Sequence, residues 1–227
     1  MGTSAGKEIQ FGVNEKAGAV SGLLLKPEAA QALLVLAHGA GAGMRHRFLE
    51  QAAVKLAAAG VATLRYQFPY MEKRVKRPDS EAVLVDTVRA ALLAARKVAG
   101  ELPIFVGGKS MGGRMSSLAA ARQPLEDVRG LVFFGFPLHA AGRPGAERGE
   151  HLTDIKLPML FLQGSRDALA ELKLLKPLCS KLADRAELFV VKGGDHSFHV
   201  LKSLGRSDDE VLDDVVKKTA EWIEKNG

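Results

Sequence analysis

The chain has 227 residues, of which 47% are hydrophobic, and its net charge of +6 is modest for this length. These values predict one α/β domain over residues 1–227, and the single cysteine, Cys179, excludes an intrachain disulfide and favours a reducing compartment. Residues 1–7 contain no apolar leader segment and no nucleic-acid-binding motif is present. We therefore expect a cytoplasmic protein without a membrane or nucleic-acid partner.

Two short apolar segments near the start of the chain, 8–13 and 19–25, flank a polar turn and predict a β-hairpin. From residue 32 onward, apolar strand-like segments alternate with amphipathic helical segments. The predicted strands are 32–37, 61–66, 103–107, 128–134, 158–163 and 186–191, and the predicted helices are 48–59, 81–98 (capped by Ser80), 115–122, 169–182 and 208–224. This alternation predicts a mostly parallel central sheet with helices on both faces.

Ser110 lies at a predicted corner between a strand and a helix, within Gly108-Lys109-Ser110-Met111-Gly112. A turn tight enough to expose a serine hydroxyl there crowds the backbone two residues to either side, where only a hydrogen fits. The N-terminus of the following helix favours negative charge at the same place. The segment therefore predicts a nucleophilic Ser110 with an oxyanion held near the N–H of Met111.

The same segment permits other interpretations. Gly108-Lys109-Ser110 imitates the end of a phosphate-binding loop, but that loop needs a glycine where Pro103 stands. Residues 103–107 also have the pattern of a strand, which argues against a nucleotide site. On this segment alone, a structural turn whose serine has no catalytic role remains open.

Two further loops carry the partners that a nucleophilic serine needs. Asp167 follows the predicted strand 158–163, and His196 follows the strand 186–191. Ligands of such sheets bind at the carboxyl ends of the strands, and a serine is activated by an imidazole that a carboxylate orients. We prefer Asp167 over Asp195 as this carboxylate, because Asp195 adjoins His196 and its side chain diverges from the imidazole.

Together these residues resemble the α/β-hydrolase superfamily, whose triad runs in the order nucleophile, acid and histidine. Within it, the chain is similar to small, capless dienelactone-hydrolase-like enzymes over nearly its whole length. The resemblance rests on three segments: His38-Gly39-Ala40-Gly41, Gly107-Gly108-Lys109-Ser110-Met111-Gly112-Gly113-Arg114 and Gly194-Asp195-His196-Ser197-Phe198. Dienelactone hydrolases carry a cysteine nucleophile, which this chain replaces with Ser110.

The resemblance implies a serine hydrolase that cleaves small ester or thioester substrates, or amides, without a metal or an organic cofactor. Ser110 is then the nucleophile, Asp167 the acid and His196 the base. The N–H groups of Met111 and Ala40 form the oxyanion hole, with Gly41 as an alternative to Ala40. The alternative function is a non-catalytic or weakly active protein-interaction module, and the sequence leaves the oligomeric state open.

The substrate pocket is predicted to be open and shallow. Residues 135–154, where this superfamily carries a cap, are too few for a lid domain. We expect the apolar walls to be Met44, Tyr66, Phe136 and Phe198. A basic loop at 73–77 could steer anionic acyl substrates, although a solvated loop is the simpler interpretation.

Four side chains near these segments are expected to have structural roles. His38 should brace its loop from a buried position, and Lys109 should point beneath the elbow, the tight turn that carries Ser110. Arg65, at the end of its strand, could hold a substrate carboxylate, but we prefer an internal ion pair for it. His151 should lie on the surface.

Overall fold

Eight strands and six α-helices alternate along residues 6–227, the part of the chain that the computed structural model describes. The strands are β1 (Lys7–Asn14), β2 (Gly18–Leu25), β3 (Ala32–Ala37), β4 (Val61–Tyr66), β5 (Ile104–Lys109), β6 (Val128–Phe134), β7 (Met159–Gly164) and β8 (Ala186–Val191). The helices are α1 (Arg47–Ala58), α2 (Pro69–Glu72), α3 (Glu81–Ala99), α4 (Met111–Arg122), α5 (Leu172–Leu182) and α6 (Asp208–Asn226). Residues 1–5, on which the prediction of a missing leader segment partly rests, lie outside the described residues.

All eight strands form one sheet in the order β1-β2-β4-β3-β5-β6-β7-β8. The hairpin strand β2 pairs antiparallel with both β1 and β4, whereas every pairing from β4 to β8 is parallel. The predicted fold class, a mostly parallel sheet with an antiparallel N-terminal hairpin, is therefore confirmed.

The core consists of two apolar layers, one on each face of the sheet. Side chains alternate between the faces, so that Leu33 and Val35 of β3 belong to one layer while Leu34 and Leu36 belong to the other. Helices α3, α4 and α5 cover the first face, and α1 and α6 cover the second. The strands of the middle of the sheet are apolar throughout because both of their faces are buried.

Some helix boundaries differ from those predicted. Helix α4 begins at Met111 instead of residue 115, because the turn at Ser110 leads directly into it. Helix α5 begins at Leu172 instead of residue 169, because Asp167 Oδ1 accepts the Leu169 N–H at 2.7 Å and holds a non-helical turn there. Ser80 precedes α3 as predicted, but its side chain makes no capping hydrogen bond.

The connection between β6 and β7, residues 135–158, contains a single 3₁₀ helix, Glu147–Asp154. No cap domain stands there, as predicted. No helix within residues 6–227 combines the length and the apolar character needed to cross a membrane.

Candidate active site

Ser110 lies at the turn between β5 and α4 with a φ of +53°, in the left-handed region that side chains rarely adopt. Its N–H donates to the carbonyl of Phe134 at 3.1 Å, which fixes the turn to the neighbouring strand β6. A Cβ on Gly108 or on Gly112 would lie 2.6 Å from the carbonyl oxygen of Ala37. The predicted steric need for both glycines is therefore confirmed.

A chain of two hydrogen bonds joins Ser110, His196 and Asp167. His196 Nε2 lies 2.8 Å from Ser110 Oγ, and His196 Nδ1 lies 2.7 Å from Asp167 Oδ2. In the neutral imidazole, Nδ1–H donates to the carboxylate and Nε2 accepts the serine O–H. The structure thus brings together the three residues to which the sequence assigns nucleophile, base and acid.

The Asp167 side chain is fully buried and each of its oxygens has a further donor. Oδ1 accepts the N–H of Leu169 at 2.7 Å, and Oδ2 accepts the amide of Gln163 in addition to His196. Gln163 Oε1 in turn accepts the Phe136 N–H at 2.9 Å. Sequence reasoning missed Gln163, although a polar residue near the end of an apolar strand was a usable signal.

Asp195 does not contact the His196 imidazole. Its Oδ1 accepts the N–H of Ser197 at 2.8 Å and that of His199 at 2.9 Å. The predicted divergence of this side chain is confirmed, and the carboxylate closes the turn that presents His196.

The two backbone N–H groups predicted for the oxyanion hole, those of Ala40 and Met111, have no hydrogen-bond acceptor among the described residues. The alternative donor, Gly41 N–H, donates to the hydroxyl of Tyr70 at 3.0 Å. Because a donor already engaged in the protein is poorly placed to bind an oxyanion, this contact favours Ala40 over Gly41.

His38 braces the loop that carries Ala40, as predicted. The ring is fully buried; Nδ1 lies 2.7 Å from the Gly39 carbonyl, and Nε2 accepts the N–H of Phe68 at 3.1 Å. Burial lowers the pKa of His38 to about 4, so the ring is neutral near pH 7. Tyr70 lies two residues beyond Phe68, so both residues join the loop after β4 to the loop after β3.

The predicted apolar walls require correction. Tyr66 and Phe136 are fully buried: Tyr66 packs between the rings of Phe11 and Phe68, and Phe136 packs on the rings of the core. Neither contributes an accessible wall, because the side chains at these strand ends turn into the core layer. Met44 is also buried, with 6% of its surface exposed.

Phe198 is also buried, with 3% of its surface exposed, but its ring borders a cavity of about 380 Å³ beside the histidine loop and between the N-termini of α1 and α6. Neither Ser110 nor His196 lines this cavity. Its ring stacks on that of Phe48, 5.7 Å away between centroids. A larger cavity, of about 660 Å³, lies between α1 and α6 at the opposite edge of the sheet from Ser110. We assign no role in the reaction to the larger cavity.

A second serine–histidine pair lies on the inner side of α4. Ser117 Oγ is 2.8 Å from His151 Nε2, and His151 is half-buried, whereas a surface position was predicted. Ser117 is fully buried, and its hydroxyl donates to the carbonyl of Arg114 at 2.8 Å. Burial lowers the pKa of His151 to about 4. Because the Ser117 proton is engaged and no substrate can reach it, this pair is structural.

Other charged side chains are held internally. Arg65 donates to the Met44 carbonyl at 3.2 Å and lies 3.8 Å from the Glu50 carboxylate, which confirms the predicted ion pair. Burial raises the pKa of the Cys179 thiol to about 11, which keeps it protonated in the core. Within residues 6–227, no three His, Cys, Asp or Glu side chains gather in an arrangement that could hold a metal ion.

The sheet order, the strained serine between β5 and α4, and the histidine after β8 define an α/β hydrolase. A model of a family described as an alpha/beta hydrolase domain matches residues 30–224. The chain belongs to this family.

Solved structures of other hydrolases share the fold. A dienelactone hydrolase from Anabaena variabilis has a TM-score of 0.77 and 21% identity, with 98% of this chain and 99% of that chain covered. An α/β serine hydrolase homologue from Coxiella burnetii has a TM-score of 0.74 and 21% identity, with coverages of 96% and 98%. A serine hydrolase without a lid from Xanthomonas campestris has a TM-score of 0.71 and 20% identity, with 95% of each chain covered.

Proposed function

We propose that this hydrolase cleaves small esters or thioesters through an acyl-enzyme on Ser110. The observation that carries the proposal is the continuous hydrogen-bond chain from Ser110 Oγ through His196 to the buried Asp167. An imidazole held in this way accepts the serine proton as the hydroxyl attacks a carbonyl, and its carboxylate partner stabilises the resulting cation.

In this mechanism the carbonyl oxygen becomes an oxyanion that the N–H groups of Met111 and Ala40 bind. The N-terminus of α4 adds a favourable field, because its dipole directs positive charge at the same point. His196 then returns its proton to the leaving group, and water activated by the same imidazole releases the acyl group. One donor of this kind typically contributes about 3–4 kcal/mol to transition-state stabilisation.

The absence of a cap domain between β6 and β7 supports small or flexible acyl substrates, because a cap is the segment that would enclose a deep pocket. An amide substrate needs the same three side chains, and the proposal favours esters and thioesters because their leaving groups depart more readily.

The test compares Ser110→Ala with Ser117→Ala, two serines of one segment that each contact a histidine. The assays are hydrolysis of short- and medium-chain p-nitrophenyl esters and labelling by a fluorophosphonate. We expect Ser110→Ala to abolish labelling and to lower turnover by about a millionfold, or to background. Ser117→Ala should keep both, because its serine is buried away from substrate.

Wild-type protein that shows neither labelling nor turnover would contradict the proposal and favour the interaction-module alternative. Labelling that survives in Ser110→Ala would place the nucleophile elsewhere.

A further inference from the structure

Lys109, the last residue of β5, is a largely buried cation directly before the nucleophile. Its side chain extends towards the histidine loop, where its ammonium donates to the backbone carbonyl of His196. The rings of Phe198 and Phe48 lie 5.3 and 5.8 Å from Nζ, within the range of cation–π attraction. No carboxylate among the described residues lies within ion-pair distance of this ammonium.

Gly135, at the end of β6, leaves the space that this contact needs. A Cβ on Gly135 would lie 3.0 Å from Lys109 Nζ, 3.3 Å from the His196 carbonyl oxygen and 3.4 Å from His196 Nδ1. The ammonium and the imidazole therefore face one small volume. The φ of +71° at Gly135 adds a second reason for glycine at this position.

Burying an ammonium without a carboxylate partner is costly, so its retention beside the histidine loop needs a compensating role. Burial lowers the pKa of Lys109 to about 8, while the negative charges of Asp167 and Asp195 oppose that shift. The group therefore remains mostly protonated near pH 7. The other groups packed around it, Phe48 of α1 and Gly135, carry no charge.

We propose that Lys109 is a positioning residue for His196: its ammonium fixes the backbone of the histidine, and its charge disfavours protonation of the imidazole. This proposal rests on the proposed function, in which a neutral His196 accepts the Ser110 proton. Because the ammonium and the imidazole face one small volume, a proton added to the ring meets a like charge, while the hydrogen bond to the His196 carbonyl holds the ring against Ser110 Oγ.

The test is Lys109→Met, which keeps the unbranched shape of the side chain at one atom shorter and removes the charge and the donor. We expect kcat towards a p-nitrophenyl ester to fall roughly 10–100-fold with KM nearly unchanged, because a displaced base is misaligned with the serine. The acid limb of the pH profile of kcat/KM should move upward, because the repelling charge is gone. Lys97→Met, at an exposed lysine of α3, is the control and should change neither.

A second readout does not depend on turnover. The NMR titration midpoint of the His196 ring should move upward in Lys109→Met, and the ring resonances should report a changed orientation. If Lys109→Met does not fold, Lys109→Gln, which keeps a polar terminus, should show the same upward shift of the pH profile and of the titration.

The outcomes separate this proposal from the proposed function. An active wild type with an unchanged kcat and acid limb in Lys109→Met would overturn the role of Lys109 alone. A wild type without turnover or labelling would overturn the proposed function, while an upward shift of the His196 titration would still support the contact. An unchanged titration in folded Lys109→Met would overturn the electrostatic part of the proposal.

Discussion

Asp167 differs from the neighbouring acid, Asp195, in what it binds. Asp167 accepts one hydrogen bond from His196, whereas Asp195 accepts only backbone N–H groups of its own turn. This difference identifies Asp167, and not Asp195, as the carboxylate that can orient His196.

We expect Asp167→Asn to lower kcat by about 10⁴-fold, because an amide favours the wrong imidazole tautomer. Asp195→Asn keeps an oxygen that can accept the same two N–H groups, so kcat of this variant should fall by less than about tenfold. Steady-state kinetics with one ester, on both variants, measures the difference. Equal losses in the two variants would contradict the assignment of Asp167 as the acid.

His38 makes folding stability depend on pH. Its pKa is lowered to about 4 by burial, whereas in the unfolded chain it is 6.5, so the unfolded state alone binds this proton between those values. Stability that is fully present above pH 6.5 should therefore fall as the pH approaches 4, by about 3 kcal/mol for this residue.

Urea unfolding at pH 7.5 and 4.5 measures this effect in wild type and in His38→Gln. The variant should lose less stability on acidification, because glutamine does not titrate, while His151 still contributes in both proteins. If both proteins lose the same free energy between the two pH values, His38 does not carry the effect.

At the scale of elements, the elbow depends on the close approach of α4 to β3. Gly112→Ala would place a Cβ 2.6 Å from the Ala37 carbonyl oxygen, and backbone on both sides prevents an easy shift. We expect a loss of about 1–3 kcal/mol or more in the free energy of unfolding. Gly12→Ala in β1 is the matched control, since nothing lies within 4 Å of its Cβ.

Thermal unfolding of the two variants measures this difference. A Gly112→Ala protein as stable as Gly12→Ala would show that the elbow relaxes, and the steric argument for the glycines would fail.

The strands and long helices could be predicted because each has one dominant pattern of apolar residues, a continuous run in a strand and a helical period in a helix. β6 and β8 have the predicted bounds, since apolar runs end there at glycine or charged residues. The first residues of the helices were harder to predict, because they depend on which side chain caps the helix. Ser207 forms a reciprocal capping box with Glu210, whereas Ser80 makes no side-chain cap, and the sequence does not distinguish the two. The four-residue helix α2 carries too few residues for any period to appear.

At the scale of the molecule, the order of the residues along the chain was enough to predict the candidate site, because each chemically active residue follows a parallel strand. The surroundings could not be predicted in the same way. Tyr66 and Phe136 looked like pocket walls because they stand near strand ends, but which way a side chain turns there depends on the packing of distant elements. Gln163 and Lys109 likewise acquire their contacts only when β5, β7 and the histidine loop meet.

The basic loop at residues 73–77 directly follows α2, whose Tyr70 hydroxyl accepts the Gly41 N–H in the loop after β3. Lys73, Arg74, Lys76 and Arg77 are exposed and form no ion pair with the described residues. We expect hydrolysis of a carboxylate-bearing ester to slow several-fold as salt rises, because added salt shortens the Debye length to about 10 Å at 0.1 M.

An uncharged ester with the same acyl group is the control and should show a flat salt dependence. Replacing the four basic residues with glutamine should remove the salt dependence for the charged ester. Equal salt curves for both esters in the wild type would rule out steering by this loop.

The connection between β6 and β7 carries no cap domain, which has a consequence for the acyl group that the proposed mechanism places on Ser110. Because 24% of the His196 side chain is exposed, we expect solvent molecules to reach that acyl group. Small alcohols would then compete with water for the acyl group in proportion to their concentration. The same site would therefore produce new esters instead of free acids in an alcohol-rich medium, so its products would depend on the solvent as well as on the substrate.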